Sequence, residues 1–392
     1  MEDVVIVSGV RTPIGSFMGA LSTVKSTKLG AAAIREAVKR AGISPDDVDE
    51  VIMGNVLPCA TGQAPARQAA IFAGLPDKVG ATTVNKVCGS GLKAVMLAAQ
   101  AIRLGDSQVV VAGGMENMSM APYALPKGRQ GYRMGDGKVE DVLVKDGLWD
   151  VYNDFHMGIA AELCASEKNI SREDQDAFAV ESYKRAIEAT KSGYFKKEIV
   201  PIEITGRKGK VRIVDEDEEP NRVKFEKIPT LRPAFKKDGT VTAANASSIN
   251  DGAAALVLMS ASRAKELGLK PMARFVADAT HSQAPEWFTT APAGACTKLL
   301  KKIGKSAADI DQWEVNEAFA VVSIITNRVL GLTDKNVNIH GGAVAMGHPI
   351  GDSGARILVT LLHTMLDTGA KNGIATLCIG GGEAVAAYVE AL

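Results

Sequence analysis

The sequence predicts an α/β protein in which one strand-and-helix unit occurs twice and the first copy is interrupted by a long insertion. Three observations carry this prediction. Short apolar runs alternate with helical spacings in the first third, similar wording returns near the end at a constant offset, and the middle breaks the pattern with Pro, Gly and charge.

Residues 4–8 read as a strand, and residues 29–41 as an Ala-rich helix with Lys and Arg near its end and Gly42 as its stop. Residues 51–53 form a short strand and 81–87 another, followed by Leu92, Val95, Met96, Ala99 and Ile102 at helical spacing. Residues 108–112 are nearly continuously apolar, as buried parallel strands are, and Gly113-Gly114 closes them. The wording Ser44-Pro45-Asp46-Asp47-Val48-Asp49-Glu50 resembles Ser306-Ala307-Ala308-Asp309-Ile310-Asp311-Gln312, 262 positions later, and Gly42 and Gly304 keep that offset. Val111-Ala112-Gly113-Gly114-Met115-Glu116 likewise resembles Cys378-Ile379-Gly380-Gly381-Gly382-Glu383. Between the copies, residues 119–245 carry clusters such as Lys127-Gly128-Arg129-Gln130-Gly131 and Asp215-Glu216-Asp217-Glu218-Glu219, with helices expected around 160–191. The acidic run reads as a solvated loop rather than a metal site, because no Gly turn or ligand ladder accompanies it.

A chain of 392 residues is too long for one ordinary core. Its 45 basic and 45 acidic residues leave no excess charge to attract nucleic acid or an anionic membrane. No basic and then apolar leader opens the sequence, and no apolar run reads as long enough to span a bilayer, so a cytoplasmic protein is expected. The five Cys are scattered and form no C-x-x-C pair, which disfavours disulfides and zinc and leaves single reactive thiols.

Four places can hold chemistry. In Asn85-Lys86-Val87-Cys88-Gly89-Ser90-Gly91 a strand delivers Cys88 to a helix start, where the helix dipole favours thiolate; a small buried Cys at a tight turn reads equally well. In Gly347-His348-Pro349 a His sits on stiff, Gly-rich backbone as a base for a nearby thiol. In Cys378-Ile379-Gly380-Gly381-Gly382 a second Cys meets a Gly run whose N–H groups can bind an oxyanion. In Asn316-Glu317-Ala318-Phe319 a strand ends before a helix, and a plain Asn cap is the simpler reading. Gly304-Lys305-Ser306 lacks the first Gly of a phosphate loop, no G-x-G-x-x-G follows the first strand, and Ser90 lacks the spacing of a hydrolase elbow.

Together and in this order, the four blocks resemble the active-site blocks of the thiolase family, and the resemblance runs end to end from Val7-Ser8-Gly9-Val10-Arg11-Thr12-Pro13. It implies a duplicated five-layered α/β/α/β/α core with an inserted loop domain: residues 1–118 plus 246–270, the loop domain 119–245, and the second half 271–392. It implies reversible condensation of two acetyl-CoA to acetoacetyl-CoA and CoA by ping-pong kinetics. Cys88 would take the acyl group, and His348 would accept its proton. Cys378 would move the proton at the α-carbon, and Asn316 would hold a water completing one oxyanion hole with His348. The N–H groups of Cys88 and Gly380 would form the other. A lowered thiol pKa is expected for such chemistry. CoA would be a substrate, with no cofactor and no metal. Its contacts would come from Leu148, His156, Met157, Phe235, Ala243 and Ser247, with Ala318 and Phe319 near the acyl end. His156-Met157-Gly158 resembles the short-chain, acetoacetyl-CoA type. The resemblance also implies a homo-oligomer, a tetramer in preference to a dimer, with no nucleic acid or membrane partner.

The sequence departs from the family wording at His340, expected to alter the surroundings of His348, at Asp352, and at Trp287-Phe288, where short-chain members often carry Met. Arg222 stands one position late for an Arg that commonly touches the nucleotide. The competing readings are a thiolase for longer 3-ketoacyl chains and a non-catalytic acyl-CoA-binding or scaffold protein.

Overall fold

The computed structural model describes residues 2–206 and 209–392. The first half contributes β1 (Val4–Arg11), β2 (Gly15–Ser16), α1 (Ser26–Ala41), β3 (Glu50–Gly54), α2 (Pro65–Ala73), β4 (Gly80–Val84), α3 (Ser90–Leu104) and β5 (Val109–Asn117). The insertion holds β6 (Tyr123–Ala124), β7 (Glu140–Asp141), α4 (Val142–Gly147), β8 (Trp149–Asp150), β9 (Phe155–His156), α5 (Met157–Glu167), α6 (Arg172–Lys191), β10 (Ile202–Thr205) and β11 (Val211–Val214). The chain then returns with β12 (Asn250–Ser260) and α7 (Ala261–Glu266). The second half is β13 (Ala273–Ser282), α8 (Ala291–Ile303), β14 (Gln312–Val315), α9 (Ala320–Leu330), α10 (Ala343–Met346), α11 (Ser353–Thr368), β15 (Asn372–Ile379) and β16 (Glu383–Glu390).

Strand residues alternate in direction, so each strand feeds two cores. Val5, Val7 and Val10 of β1 pack with α1 and α2, whereas Val4 and Ile6 join α3 and α11. In the second half Val385, Ala387 and Val389 of β16 face α3 and α11, while Ala384, Ala386 and Tyr388 face α8. The layers are therefore α1 and α2, the first sheet, α3 and α11, the second sheet, and α8. The strand order β14-β15-β16-β13-β1-β12-β5-β3-β4 places β1, β12, β5, β3 and β13, β16, β15, β14 in the same sequence of neighbours. Within the sheet the two halves are joined by three residue pairs between β1 and β13, and α3 and α11 pack them together in the middle layer. Val87–Leu104 does reach a mean hydropathy of 1.2 over 18 residues, contrary to expectation, and its helix is the buried middle layer.

The repeat is real at its first match and shifted at its second. Gly42 and Gly304 both end their helices at positive φ, 71° and 67°, and Ser44 and Ser306 both open a capped turn before β3 and β14. However, Glu50 of β3 pairs with Val110, and Gln312 of β14 pairs with Gly373, so position 110 corresponds to 373. The second Gly match, which set 111 against 378, is a coincidence of composition. Gly113-Gly114 does not close a strand: β5 runs on to Asn117. A Cβ on Gly113 would collide with the Ala254 carbonyl oxygen, and one on Gly114 with that of Gly351. Gly113 thus lets β12 lie close beside β5, and Gly114 lets the second half approach the first.

The acidic run also departs from expectation. Asp217 is only 3% exposed and grips Arg11 with both oxygens, at 2.7 and 2.9 Å, while Glu198 holds the same guanidinium at 2.5 Å. Glu218 accepts the N–H groups of Ser16 and Ala20. The run thus pins the insertion to the end of β1. Removing one partner of a buried pair strands the other charge. Asp217→Ala is expected to destabilise the fold by about 3–5 kcal/mol, read as a lower urea midpoint.

Candidate active site

β4 ends at Val84, earlier than the sequence suggested, because residues 85–88 form a turn instead. The Asn85 side chain accepts the Val87 N–H, and the Ser90 hydroxyl accepts the Lys86 N–H while donating to the Val87 carbonyl. These bonds hold Val87 at φ 45°, a strained conformation for a β-branched residue. The next residue is Cys88, half-buried at the mouth of α3. The strain aims one thiol, which favours the nucleophile reading over that of a filler Cys.

The second half brings its groups to the same point. Cys378 lies at the end of β15, and the Gly380 N–H reaches the Cys88 sulfur, as does the N–H of Cys88 itself. His348 is 5% exposed and leaves α10 at Gly347, whose φ is 105°. Its backbone N–H donates to Asn250 Oδ1 at 2.9 Å, and its ring Nδ1 lies 2.5 Å from the Ser353 hydroxyl. Nε2 is buried without a protein partner. Asn316 is fully buried, and neither its amide oxygen nor its nitrogen has a partner. The helix that follows is capped at Phe319, so Asn316 is not an Asn cap. An amide so buried is costly unless a water or ligand satisfies it.

Glu116, at the end of β5, holds the assembly together. Its carboxylate accepts from Asn55 Nδ2 at 2.6 Å and from the N–H groups of Val56, Leu57 and Gly351 at 2.9, 3.2 and 3.0 Å. Burial raises its pKa to about 7 against those donors. The loop carrying His348 is thereby tied to the wall beside Cys88.

Both thiols are harder to ionise than an ordinary Cys, opposite to the expectation. Burial pushes Cys88 up to about 11, although two N–H groups oppose it, and Glu116 adds to the rise. Burial and the neighbouring Cys88 push Cys378 well above its usual value. The partial charge of a helix end does not offset desolvation here. Burial, with Arg356 nearby, takes His348 down to about 3. Both thiols and the imidazole are therefore neutral at rest, and a thiol can become nucleophilic only as its proton passes to a partner.

A cavity of about 360 Å³ opens over these groups. Cys88, His348, Cys378 and Gly380 line it, together with Leu148, His156, Met157, Phe235, Ala243, Ser247, Ala318 and Phe319. Every residue proposed from the sequence is there except Asn316, which is buried and not among the lining residues. His156 is not a solvated loop residue: its Nδ1 accepts the Gly158 N–H, capping α5, and its ring stacks on Phe235 at 4.8 Å. Phe319 meets Phe235 and Phe288 edge-on at 6.1 and 6.2 Å. Ser247 donates its hydroxyl and its N–H to the Ala318 carbonyl.

Sequence reasoning missed Phe17, Met118, Ile249 and Ile350 of the lining, which carry no local signal beyond apolarity. Phe288 is a wall residue, whereas Trp287 instead faces the Lys168 ammonium at 4.9 Å. His340 stacks on Tyr194 at 3.5 Å and makes no hydrogen bond to His348. Asp352 is 1% exposed, and burial raises its pKa to about 8. Arg222 is exposed and outside the cavity lining.

Residues 4–262 match the family model described as thiolase, N-terminal domain, and residues 269–391 match thiolase, C-terminal domain. A probable acetyl-CoA acetyltransferase of Dictyostelium discoideum is 54% identical over 100% of this chain and 95% of its own length. An acetyl-CoA acetyltransferase of Pseudomonas aeruginosa is 53% identical over 98% of each. Among solved structures, the Bacillus anthracis acetyl-CoA acetyltransferase superposes with a TM-score of 0.98 at 45% identity, covering 100% of this chain and 99% of that one. The Acat5 thiolase of Ascaris suum in complex with coenzyme A superposes at 0.94 with 44% identity, covering 100% of both.

Proposed function

The chain belongs to the thiolase family, and from that premise we infer that it is an acetyl-CoA C-acetyltransferase, joining two acetyl-CoA into acetoacetyl-CoA and CoA or running the reverse thiolysis. The observation that carries this reading is one cavity lined by two thiols, an unpartnered imidazole nitrogen and a backbone N–H pointed at one of those thiols.

The proposed sequence starts with Cys88 Sγ attacking the thioester carbon while His348 Nε2 takes its proton. The oxyanion forms against the N–H groups of Cys88 and Gly380, where a missing donor typically costs about 2.7–4 kcal/mol. The carbonyl re-forms, the C–S bond to CoA breaks, and CoA leaves with the proton from His348. Cys378, neutral at rest, then gives its proton to His348 Nε2 and as a thiolate takes an α-proton from a second acetyl-CoA. Its enolate oxygen is held by His348 and by a water on Asn316, whose unpartnered amide suits that part. The enolate carbon attacks the acetyl group, and Cys88 leaves as thiolate and recovers its proton from His348. These steps use only side chains, backbone N–H groups and a water, so CoA enters as substrate and no cofactor is required.

The three phenyl rings of Phe235, Phe288 and Phe319 crowd the cavity and support a short acyl chain. Thiolysis of acetoacetyl-CoA is expected to exceed that of a medium-chain 3-ketoacyl-CoA in kcat/KM by tenfold or more, since each misfitted methylene is worth about 1–3 kcal/mol. Equal use of the longer chain would make this a broad-range thiolase.

The oligomer proposed is a tetramer. β4 ends the sheet with a free edge that leads into the Cys88 turn, and Tyr123, Leu125 and Met134 expose apolar surface on the insertion. Light scattering at micromolar concentration should give four times the chain mass; a monomer would contradict the proposal.

A further inference from the structure

The Ser353 hydroxyl lies between two groups, the His348 ring and the Pro349 carbonyl. It is 2.5 Å from His348 Nδ1 and 2.9 Å from the Pro349 oxygen. A serine hydroxyl has one hydrogen to give and lone pairs to accept with. When that hydrogen goes to the carbonyl oxygen, the oxygen of the hydroxyl can only accept, and Nδ1 must then carry the imidazole proton. Nε2 is left bare, buried and without a protein partner on the side of the cavity.

We propose that Ser353 is a positioning residue that fixes the tautomer of His348, keeping Nδ1 protonated so that in the resting enzyme Nε2 is the free base for Cys88. This rests on the reading of His348 as the base for Cys88 given above.

The surroundings suit the task. Ser353 is 1% exposed, so no bulk water competes for its lone pair. It begins α11, where its own N–H is bonded to the Pro349 carbonyl at 3.0 Å and fixes the backbone, while the hydroxyl's bond to the same carbonyl holds the side chain beside the ring. The opposite side of the loop is fixed by the bond from the His348 N–H to Asn250. When the ring takes the thiol proton, the same hydroxyl accepts the Nδ1–H of the cation, which has no other partner. Ser353 is not among the cavity-lining residues, so it acts on substrate only through His348.

In ¹⁵N spectra of the full-length protein with labelled histidine, where a His348→Asn variant identifies the signals among five His, the resting His348 is expected as the Nδ1–H tautomer. Ser353→Ala should populate the Nε2–H form and slow acetylation of Cys88 by about ten- to a hundredfold, less than the roughly 10²–10⁴ that a general base supplies. Its KM for acetyl-CoA should stay within about twofold of wild type, and Ser353→Thr, which keeps the hydroxyl, should recover most of the rate. An Nε2–H tautomer in the wild type would overturn the proposal without any variant needing to fold. Wild-type acetylation in folded Ser353→Ala would overturn it too. Acetylation at the wild-type rate in His348→Asn would instead sink the base reading beneath it.

Discussion

Cys88→Ala is expected to lose both thiolysis and condensation by a factor on the order of 10⁴ or more, because removing a nucleophile abolishes the covalent route and leaves only binding and oxyanion donors. The fold should survive: the side chain is half-buried, and the turn is held by Asn85 and Ser90 rather than by the sulfur. Substrate binding should survive as well, since the cavity walls are contributed by other residues. Titration calorimetry of CoA against the variant, beside turnover assays, separates the two effects. Turnover within tenfold of wild type would remove Cys88 from the chemistry.

Cys378→Ala is expected to split the reaction. Its thiol lines the cavity from the end of β15, two residues before Gly380. Acetylation of Cys88 by acetyl-CoA requires His348 and the oxyanion N–H groups but not Cys378. Exchange of labelled CoA into acetyl-CoA should therefore persist within about tenfold. Condensation and thiolysis of acetoacetyl-CoA should fall by about 10²–10⁴, the range of a general acid–base group. Equal losses in exchange and condensation would mean that Cys378 serves acylation too.

The difference between what was readable in the sequence and what was not follows the range of the interactions. Cys88, His348, Cys378 and Asn316 stand in short blocks whose Gly, Pro and strand-end context is local, and local wording is visible in one sequence. The half-repeat was visible where capping chemistry is local, at Ser44 and Ser306, and misjudged where Gly clusters were matched by composition. Gly113 and Gly114 read as a stop in the sequence because the carbonyls that require them, of Ala254 and Gly351, lie far along the chain. Asp217 reads as solvated in the sequence because its partner Arg11 is 206 positions away. Glu116 binds the Gly351 N–H across 235 positions and Asn250 binds that of His348 across 98, and no periodicity announces either. The direction of the thiol pKa shifts was misjudged for a related reason: the helix end beside Cys88 is visible in sequence, but the burial that outweighs it is not.

The central claim is that the acyl group rides on Cys88. Wild-type enzyme mixed with acetyl-CoA alone, quenched in acid within a turnover and digested, should yield one acetylated peptide, with the added mass on Cys88. An acetyl group found only on Cys378, or on any other residue, would contradict the account.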